Sequence, residues 1–406
     1  MASSSPDLVY PSLELAEHPY PFYELLRAES PVYKVPGRDE YLVARHVDVL
    51  HVLKHPDVFS NALARQGRKH SSGSHEERGE DASTIASDPP EHKAKRALCF
   101  RGFTPGRLRD YEPRIEAIVD DLIDEFVERG EVEFVSEFAN PLPILVFCAL
   151  FFGDAREDYD RFRRWALLEG SGIRYLPAER QDAARKRGEG MKEYLAAAIL
   201  DRHETPRDDV LSEVILAQVE RDGELRLDYL RAEAGLLLAG GFVTTAHMIA
   251  SAMLLMLRHP EQMQLVRADH SRIKRMLEEA LRVESPVQWQ PRVTKVDTEL
   301  AGVDIPAGSL VLVLLASANR DESTFEEAAD FDIARPNTSA HVAFGYGAHF
   351  CLGAPLGRLE GRIAFERLLT RLDAIRAVDE HEVTSLESTL FRGPKALRLQ
   401  FEQAAT

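Results

Sequence analysis

The chain has 406 residues, 44% hydrophobic and 29% charged, an ordinary globular composition long enough to bury a substantial core. Its formal net charge of -17 argues against nucleic acid as the main partner, because neutralising phosphates needs a basic surface. Cys99, Cys148 and Cys351 make no even disulfide framework, and the N-terminal stretch has no basic segment followed by an apolar one, so a reducing, cytoplasmic setting without a membrane anchor is expected.

In chain order, "PVYKVPGRDEYLVAR" around residues 31–45 reads as a hairpin, two β-rich pieces flanking a turn. The polar stretch that begins at Asn61 and runs to 88 has almost no apolar period, and loops of this length in compact domains are usually functional or mobile. "DPPEHKAKRALCFRGFTP" then opens a helix on which His92 and Arg96 stand one turn apart. From about 105 to 285 the spacing of apolar residues is helical, as in "RIEAIVDDLIDEFVERG" and "RIKRMLEEALRVESP".

Inside that region, 234–257 is apolar and long enough to be weighed as a membrane span. The adjacent Gly240 and Gly241, with Thr244, Thr245, His247, Ser251 and polar flanks, favour a central helix buried in a large protein instead. The glycine pair is costly there, at roughly 1 kcal/mol per glycine relative to alanine. After Ser285 the texture over 287–315 becomes short β-branched runs broken by Gly and Pro, which predicts a small sheet. A last helix over 352–372 and a β-rich tail over 375–402 complete a fold read as mainly α with a smaller β region, one domain over 1–406.

The most specific signal is "FGYGAHFCLGAPLGRLEGR", where Gly345, Gly347 and Gly353 surround Cys351 just ahead of a helical pattern. Glycine lets backbone approach a bulky group closely, and a helix N-terminus stabilises a thiolate. With Phe344 and His349, this stretch resembles the haem-ligand loop of the cytochrome P-450 superfamily. The resemblance implies haem b, with Cys351 as axial thiolate and metal ligand, His349 toward a propionate, Phe344 under the thiolate side of the ring and Gly353 in the turn. It extends from about residue 85 to the C-terminus. His92 and Arg96 match the propionate helix, Arg292 in "SPVQWQPRVT" the remaining propionate arginine, and Glu279, Arg282 and Arg335 the family's buried Glu-Arg-Arg network. Each of these alone would read as an ordinary surface charge.

By the same resemblance, the weakened middle of "GLLLAGGFVTTAHM" passes over the distal face of haem. Gly240 and Gly241 would lie nearest the ring and Thr244 would take the place of the catalytic alcohol, making Gly241, Val243 and Thr244 the catalytic positions. A loosened turn there can expose a carbonyl or lodge a water. Val243 departs from the pattern, since the family carries an acid there and valine cannot relay a proton. Water or substrate, His247, or chemistry that needs no such relay could compensate; His247 reads first as a satisfied core histidine.

The substrate pocket implied by the resemblance draws on the polar loop, "RRWALLEGSGIRYLPAERQD", Phe242, Val243, Val287, Gln288, Trp289, Phe391 and the tail near Leu390, with Gln288, Gln290, Arg174 and Tyr175 as polar contacts. A fused flavin or nicotinamide domain is not expected, so electrons would come from a separate ferredoxin and its NAD(P)H-dependent reductase, docked on Lys93, Lys95, Arg101, Arg107, Arg358 and Arg362. The expected activity is monooxygenation by O2 of a small or medium-sized organic substrate, in secondary metabolism. A peroxide-using or oxidative-coupling member of the family, or a non-catalytic haem sensor, are the alternatives.

Overall fold

The structure is a computed structural model that describes residues 10–62, 81–153, 158–166, 174–378 and 384–404. Strands β1 (Val32–Lys34) and β2 (Glu40–Val43) form the expected hairpin, with Val32 opposite Val43. Strand β3 is Phe59–Ser60 and β4 is Glu131–Glu133, while β5 (Gln290–Thr294), β6 (Thr298–Leu300), β7 (Val303–Ile305) and β8 (Leu310–Val313) follow the helical region. The tail adds β9 (Leu372–Ala377) and β10 (Arg398–Gln403). The main sheet has the order β1-β2-β8-β5-β3, parallel only between β2 and β8. All four residues of β8 are buried, as its unbroken apolar run "LVLV" requires of a strand covered on both faces.

The helical body is built on local signals. Thr104 caps the helix Pro105–Asp124 by accepting the Arg107 N–H at 3.4 Å, and Pro105 sits in the first turn, where a missing N–H costs nothing. Asp209 caps Val210–Asp222 through the Ser212 N–H at 2.8 Å, and Gly223 closes that helix in the left-handed region at φ 80°. In Ile273–Val283, Ile273, Met276, Leu277, Ala280 and Leu281 recur at three-to-four spacing and are all buried.

The central helix runs unbroken from Leu227 to Arg258, 32 residues or about 48 Å at 1.5 Å per residue. By length and composition it could cross a membrane, but 67% of its most apolar window is buried inside the protein. It packs on helices Met191–Glu204, Pro141–Phe151, Ile273–Val283 and Ala354–Arg371, and every residue from Thr245 to Met256 is buried. The glycine pair leaves the α-helix continuous, so the expected loosened turn is not found. The Thr244 Oγ1 hydroxyl instead donates to Gly240 O at 3.0 Å, one turn back.

One element differs in kind from the sequence reading. Within the stretch read as helical, Glu131–Glu133 is a strand and pairs antiparallel with β10, Arg398 opposite Glu133. Three residues carry too little period to reveal a strand whose partner lies at the far end of the chain.

Candidate active site

The cysteine loop is shaped by its glycines. Gly345 and Gly347 have φ of 71° and 70°, which side chains rarely adopt, and a Cβ on Gly347 would stand 2.7 Å from Leu53 O. The Cys351 N–H closes the loop on Phe344 O at 2.8 Å, and the helix Ala354–Arg371 starts three residues later. Cys351 keeps accessible surface although protein atoms surround its thiol deeply. Burial pushes that thiol up, while the N–H groups of Gly353 and Ala354 and the charges of Arg96 and Arg358 pull it back.

Four basic side chains converge beside this loop. The rings of His92 and His349 lie 4.0 Å apart, and the Nε2 atom of each is buried without a hydrogen-bond partner among the described residues. Burial, then the charge of Arg292 and the neighbouring His92, pull His349 down to about 3. Arg292 is buried and donates to Asn61 Oδ1 at 2.9 Å. Half-buried Arg96 has no hydrogen bond or ion pair among the described residues, and desolvation lowers its pKa. Unpartnered imidazole nitrogens and a half-buried guanidinium without a counter-charge are what the two carboxylates of haem would satisfy. His92, Arg96, Arg292 and His349 would hold the propionates, and Cys351 the iron.

The buried Glu-Arg-Arg network is assembled behind the loop. Arg282 Nε and Nη2 meet the two oxygens of Glu279 at 2.9 and 2.7 Å, and Arg335 Nε meets Glu279 Oε1 at 2.9 Å. Arg282 also donates to the carbonyls of Asn319, Ala328 and Asp330, so the network pins the irregular segment that leads to the cysteine loop. The preceding residue, Glu278, was not anticipated. It receives both arms of Arg358 at 2.6 and 2.7 Å and His341 Nε2 at 3.0 Å, and these bonds hold its carboxyl down to about 2 against desolvation, the largest influence on it. Arg358 then lies 4.4 Å from the centre of the Phe344 ring, which links the network to the loop itself.

On the central helix, Gly240 is exposed and a Cβ there would meet nothing within 4 Å, whereas one on Gly241 would touch Phe147 at 3.5 Å. Gly240 and the half-buried Thr244, one turn apart, therefore open on free space, while Gly241 turns toward the core. Val243 is half-buried against the helical core. His247 is buried, its Nδ1 has no hydrogen-bond partner among the described residues, where a satisfied core histidine was expected, and burial lowers it to about 4, so it is neutral at pH 7.

Several expected pocket residues are committed elsewhere. Phe242 is fully buried, edge-on to Phe147 at 4.9 Å, because its position on the helix faces the aromatic core rather than the free space at Gly240. Gln288 donates to Ser285 O at 2.7 Å and accepts from Tyr23 OH at 3.2 Å. Trp289 is wholly buried with its indole N–H on Thr389 O at 2.6 Å and its ring edge-on to Tyr175. Tyr175 donates to Glu40 at 3.3 Å, Arg174 lies over its ring, and Gln290 accepts from Arg292 at 3.5 Å. Val287 and Phe391 form an isolated β-bridge and are partly buried, packed against the apolar core around Trp289. Residues 63–80 and 167–173, also expected at the pocket, lie outside the described residues.

The cationic docking face needs the same correction. Lys95 is buried and bonded to Ala82 O, Ser87 Oγ and Glu91. Arg101 pairs with Glu220, Arg107 with Asp208 and Glu213, Arg358 with Glu278, and Arg362 with Glu112 and Glu366. Lys93 is exposed, with no ion pair among the described residues.

Comparison with known proteins agrees with this geometry. The family model described as cytochrome P450 matches residues 40–401. The chain is 39% identical over 389 residues to a vitamin D(3) 25-hydroxylase of Pseudonocardia autotrophica, covering 93% of this chain and 92% of that protein. It is 38% identical over 312 residues to the 6-deoxyerythronolide B hydroxylase of Saccharopolyspora erythraea, covering 76% and 75%. The solved structure of CYP109E1 from Bacillus megaterium in complex with testosterone aligns with a TM-score of 0.85 at 29% identity, over 96% of this chain and 99% of that one. A match running from β2 through the central helix to the cysteine loop and the tail means that the chain belongs to the cytochrome P450 family, is a monooxygenase and has haem as its cofactor.

Proposed function

We propose that the protein hydroxylates or epoxidises a bulky, lipophilic organic substrate in secondary metabolism, in the cytoplasm, with electrons from a separate ferredoxin. The observation that carries this reading is the free space at Gly240 beside the Thr244 hydroxyl, on a helix whose next residues, Thr245 to Met256, are all buried. Val287 and Phe391 are partly buried apolar side chains on the segments that the tail joins, and the relatives named above are hydroxylases of vitamin D3 and of 6-deoxyerythronolide B.

When bound, haem supplies the redox and O2 chemistry, with a cysteine thiolate donating electron density toward it. The chain's own residues bind and steer. Cys351 offers the sulfur ligand, and the basic cluster neutralises the propionates. Thr244 holds one proton at Oγ1, which in this helix is bonded to Gly240 O, while its lone pairs stay available to a water or a ligand. Delivering that proton requires the hydroxyl to rotate away from Gly240 O, and a water in the adjacent free space can then recharge it. Val243 adds nothing to such a chain, so water or a substrate hydroxyl takes the part of the missing acid.

Val243 also favours a second reading, in which peroxide replaces O2 and the ferredoxin, or the reaction is an oxidative coupling. With most of the expected cations already paired, a ferredoxin would meet a face that includes a groove of about 420 Å³ walled by Leu108, Leu277, Pro355 and Leu359 beside Arg109 and Lys274. Turnover of secosteroids, sterols, macrolactones, terpenoids and fatty acids with ferredoxin, reductase, NAD(P)H and O2, set against peroxide alone, separates the two. Product from the first system and not the second supports ferredoxin-driven monooxygenation; the reverse outcome overturns it.

A further inference from the structure

Asn61, at the end of β3, keeps only 2% of its surface accessible, and its side chain is fully committed. Its Oδ1 accepts from Arg292 Nη1 at 2.9 Å, and its Nδ2 donates to Ile85 O at 2.5 Å and stands 3.4 Å from His349 Nδ1. Its backbone N–H donates to Asp88 Oδ1 at 2.9 Å. Asp88 also accepts from the Ala62 N–H at 3.2 Å, Ser60 Oγ at 2.7 Å and Lys295 Nζ at 2.9 Å. The Asp88 carbonyl, in turn, takes the His92 N–H at 2.9 Å, at the start of the helix that carries His92 and Arg96.

Two polar residues thus join the three segments that present His92 and Arg96, Arg292 and His349. The sheet pairing of Ser60 with Val293 would hold β3 against β5 without them. A buried amide is costly unless fully bonded, and here two of its three side-chain contacts end on members of the basic cluster, Arg292 and His349. The members of that cluster are unfavourable neighbours for one another, since two guanidiniums and two imidazoles meet beside one loop, with the rings of His92 and His349 4.0 Å apart. Something must hold them together before an anion arrives.

We propose that Asn61, anchored by Asp88, is a positioning residue for haem, fixing Arg292 and His349 where the propionates bind. The proposal rests on the haem-thiolate reading of the site. Neither residue touches the reacting atoms, so the readout is retention of haem rather than turnover.

The test is the rate at which holoenzyme gives up haem to excess apomyoglobin, for the wild type and the variants N61L, N61D and D88N, with the reduced CO spectrum recorded for each. N61L should release haem roughly tenfold faster or more, the range seen when groups that orient a ligand are removed, with the thiolate-type CO band kept. N61D is isosteric, so a packing role predicts no change. A positioning role predicts faster release, because the new carboxylate would hold Arg292 and repel the propionates. Release within about twofold of wild type for folded N61L and N61D overturns the proposal. Should neither fold, D88N decides in the same way: faster release supports the clamp and an unchanged rate removes it. A wild type without the thiolate-type CO band would instead overturn the underlying haem-thiolate reading.

Discussion

The imidazole of His247 occupies the space that a side chain at Gly393 would need, since a Cβ there would stand 2.6 Å from the ring's Cγ. This contact seats the tail on the central helix one turn beyond Val243. The same tail pairs with the segment after the helix Ile273–Val283, through Gln288 N to Leu390 O at 2.8 Å and Arg392 N to Pro286 O at 2.9 Å. Gly393→Ala should therefore cost about 1–3 kcal/mol in denaturant unfolding, the usual range for overpacking a tight site. Because Phe391 is displaced with the tail, ligand-induced spectral shifts should weaken as well. Unchanged stability would mean that the contact is loose.

His247 also gives the protein a defined acid sensitivity. Burial lowers its folded-state pKa to about 4, against about 6.5 for an unperturbed histidine. As pH falls through 6.5 the unfolded chain takes up a proton that the folded chain refuses, so this contribution to stability declines until the folded state also titrates near pH 4. His247→Leu should make the dependence of unfolding free energy on pH shallower between about 6.5 and 4 while leaving it similar above pH 7. A parallel curve for the variant would show that other groups carry the acid sensitivity.

Glu279 faces two guanidiniums, Arg282 and Arg335, in a fully buried site. Glu279→Gln would leave both cations without a counter-charge, where breaking a buried pair costs about 3–5 kcal/mol. Because the network pins the segment leading to the cysteine loop, the variant should be recovered largely without haem, even where far-UV circular dichroism shows retained helix. Arg335→Lys should also lose haem, since lysine lacks the fork that reaches Glu279 and the backbone carbonyls together. Normal haem content in both variants would show that the loop holds its shape alone.

How much of this was legible before the structure depends on what made each feature necessary. The cysteine loop was readable because its geometry demands particular residues. Gly347 has no alternative beside Leu53 O, and that need is written in the local sequence. Glu279 and Arg282 were readable only through their order relative to the loop, since a Glu and an Arg one turn apart are common on any helix. The glycine pair announced a close approach, but which glycine faces free space depends on Phe147, a residue of another helix. Phe242 was misplaced for the same reason. Lys93 and Lys95, two residues apart on one helix, fall on opposite faces, and only packing shows that Lys95 is the buried one. The Asp88–Asn61 clamp, the Glu278–Arg358 pair and the β4–β10 pairing all join residues far apart in sequence, where no local period carries a signal.

The proton route gives the last prediction. Thr244 is the hydroxyl that faces the free space at Gly240, and Val243, one residue earlier, is half-buried against the core. Thr244→Ala should leave substrate binding nearly intact while NAD(P)H is diverted to peroxide, with product per NAD(P)H falling on the order of tenfold or more, as loss of a positioned proton-transfer group implies. Val243→Asp is the sharper test. If water or substrate already recharges the threonine, a carboxyl at 243 is redundant and partly desolvated, and coupling should rise by less than about threefold, far short of the 10²–10⁴ that a needed acid–base group contributes. A larger gain with the same product would mean that the native enzyme runs without an adequate relay, and the water-assisted route would have to be abandoned.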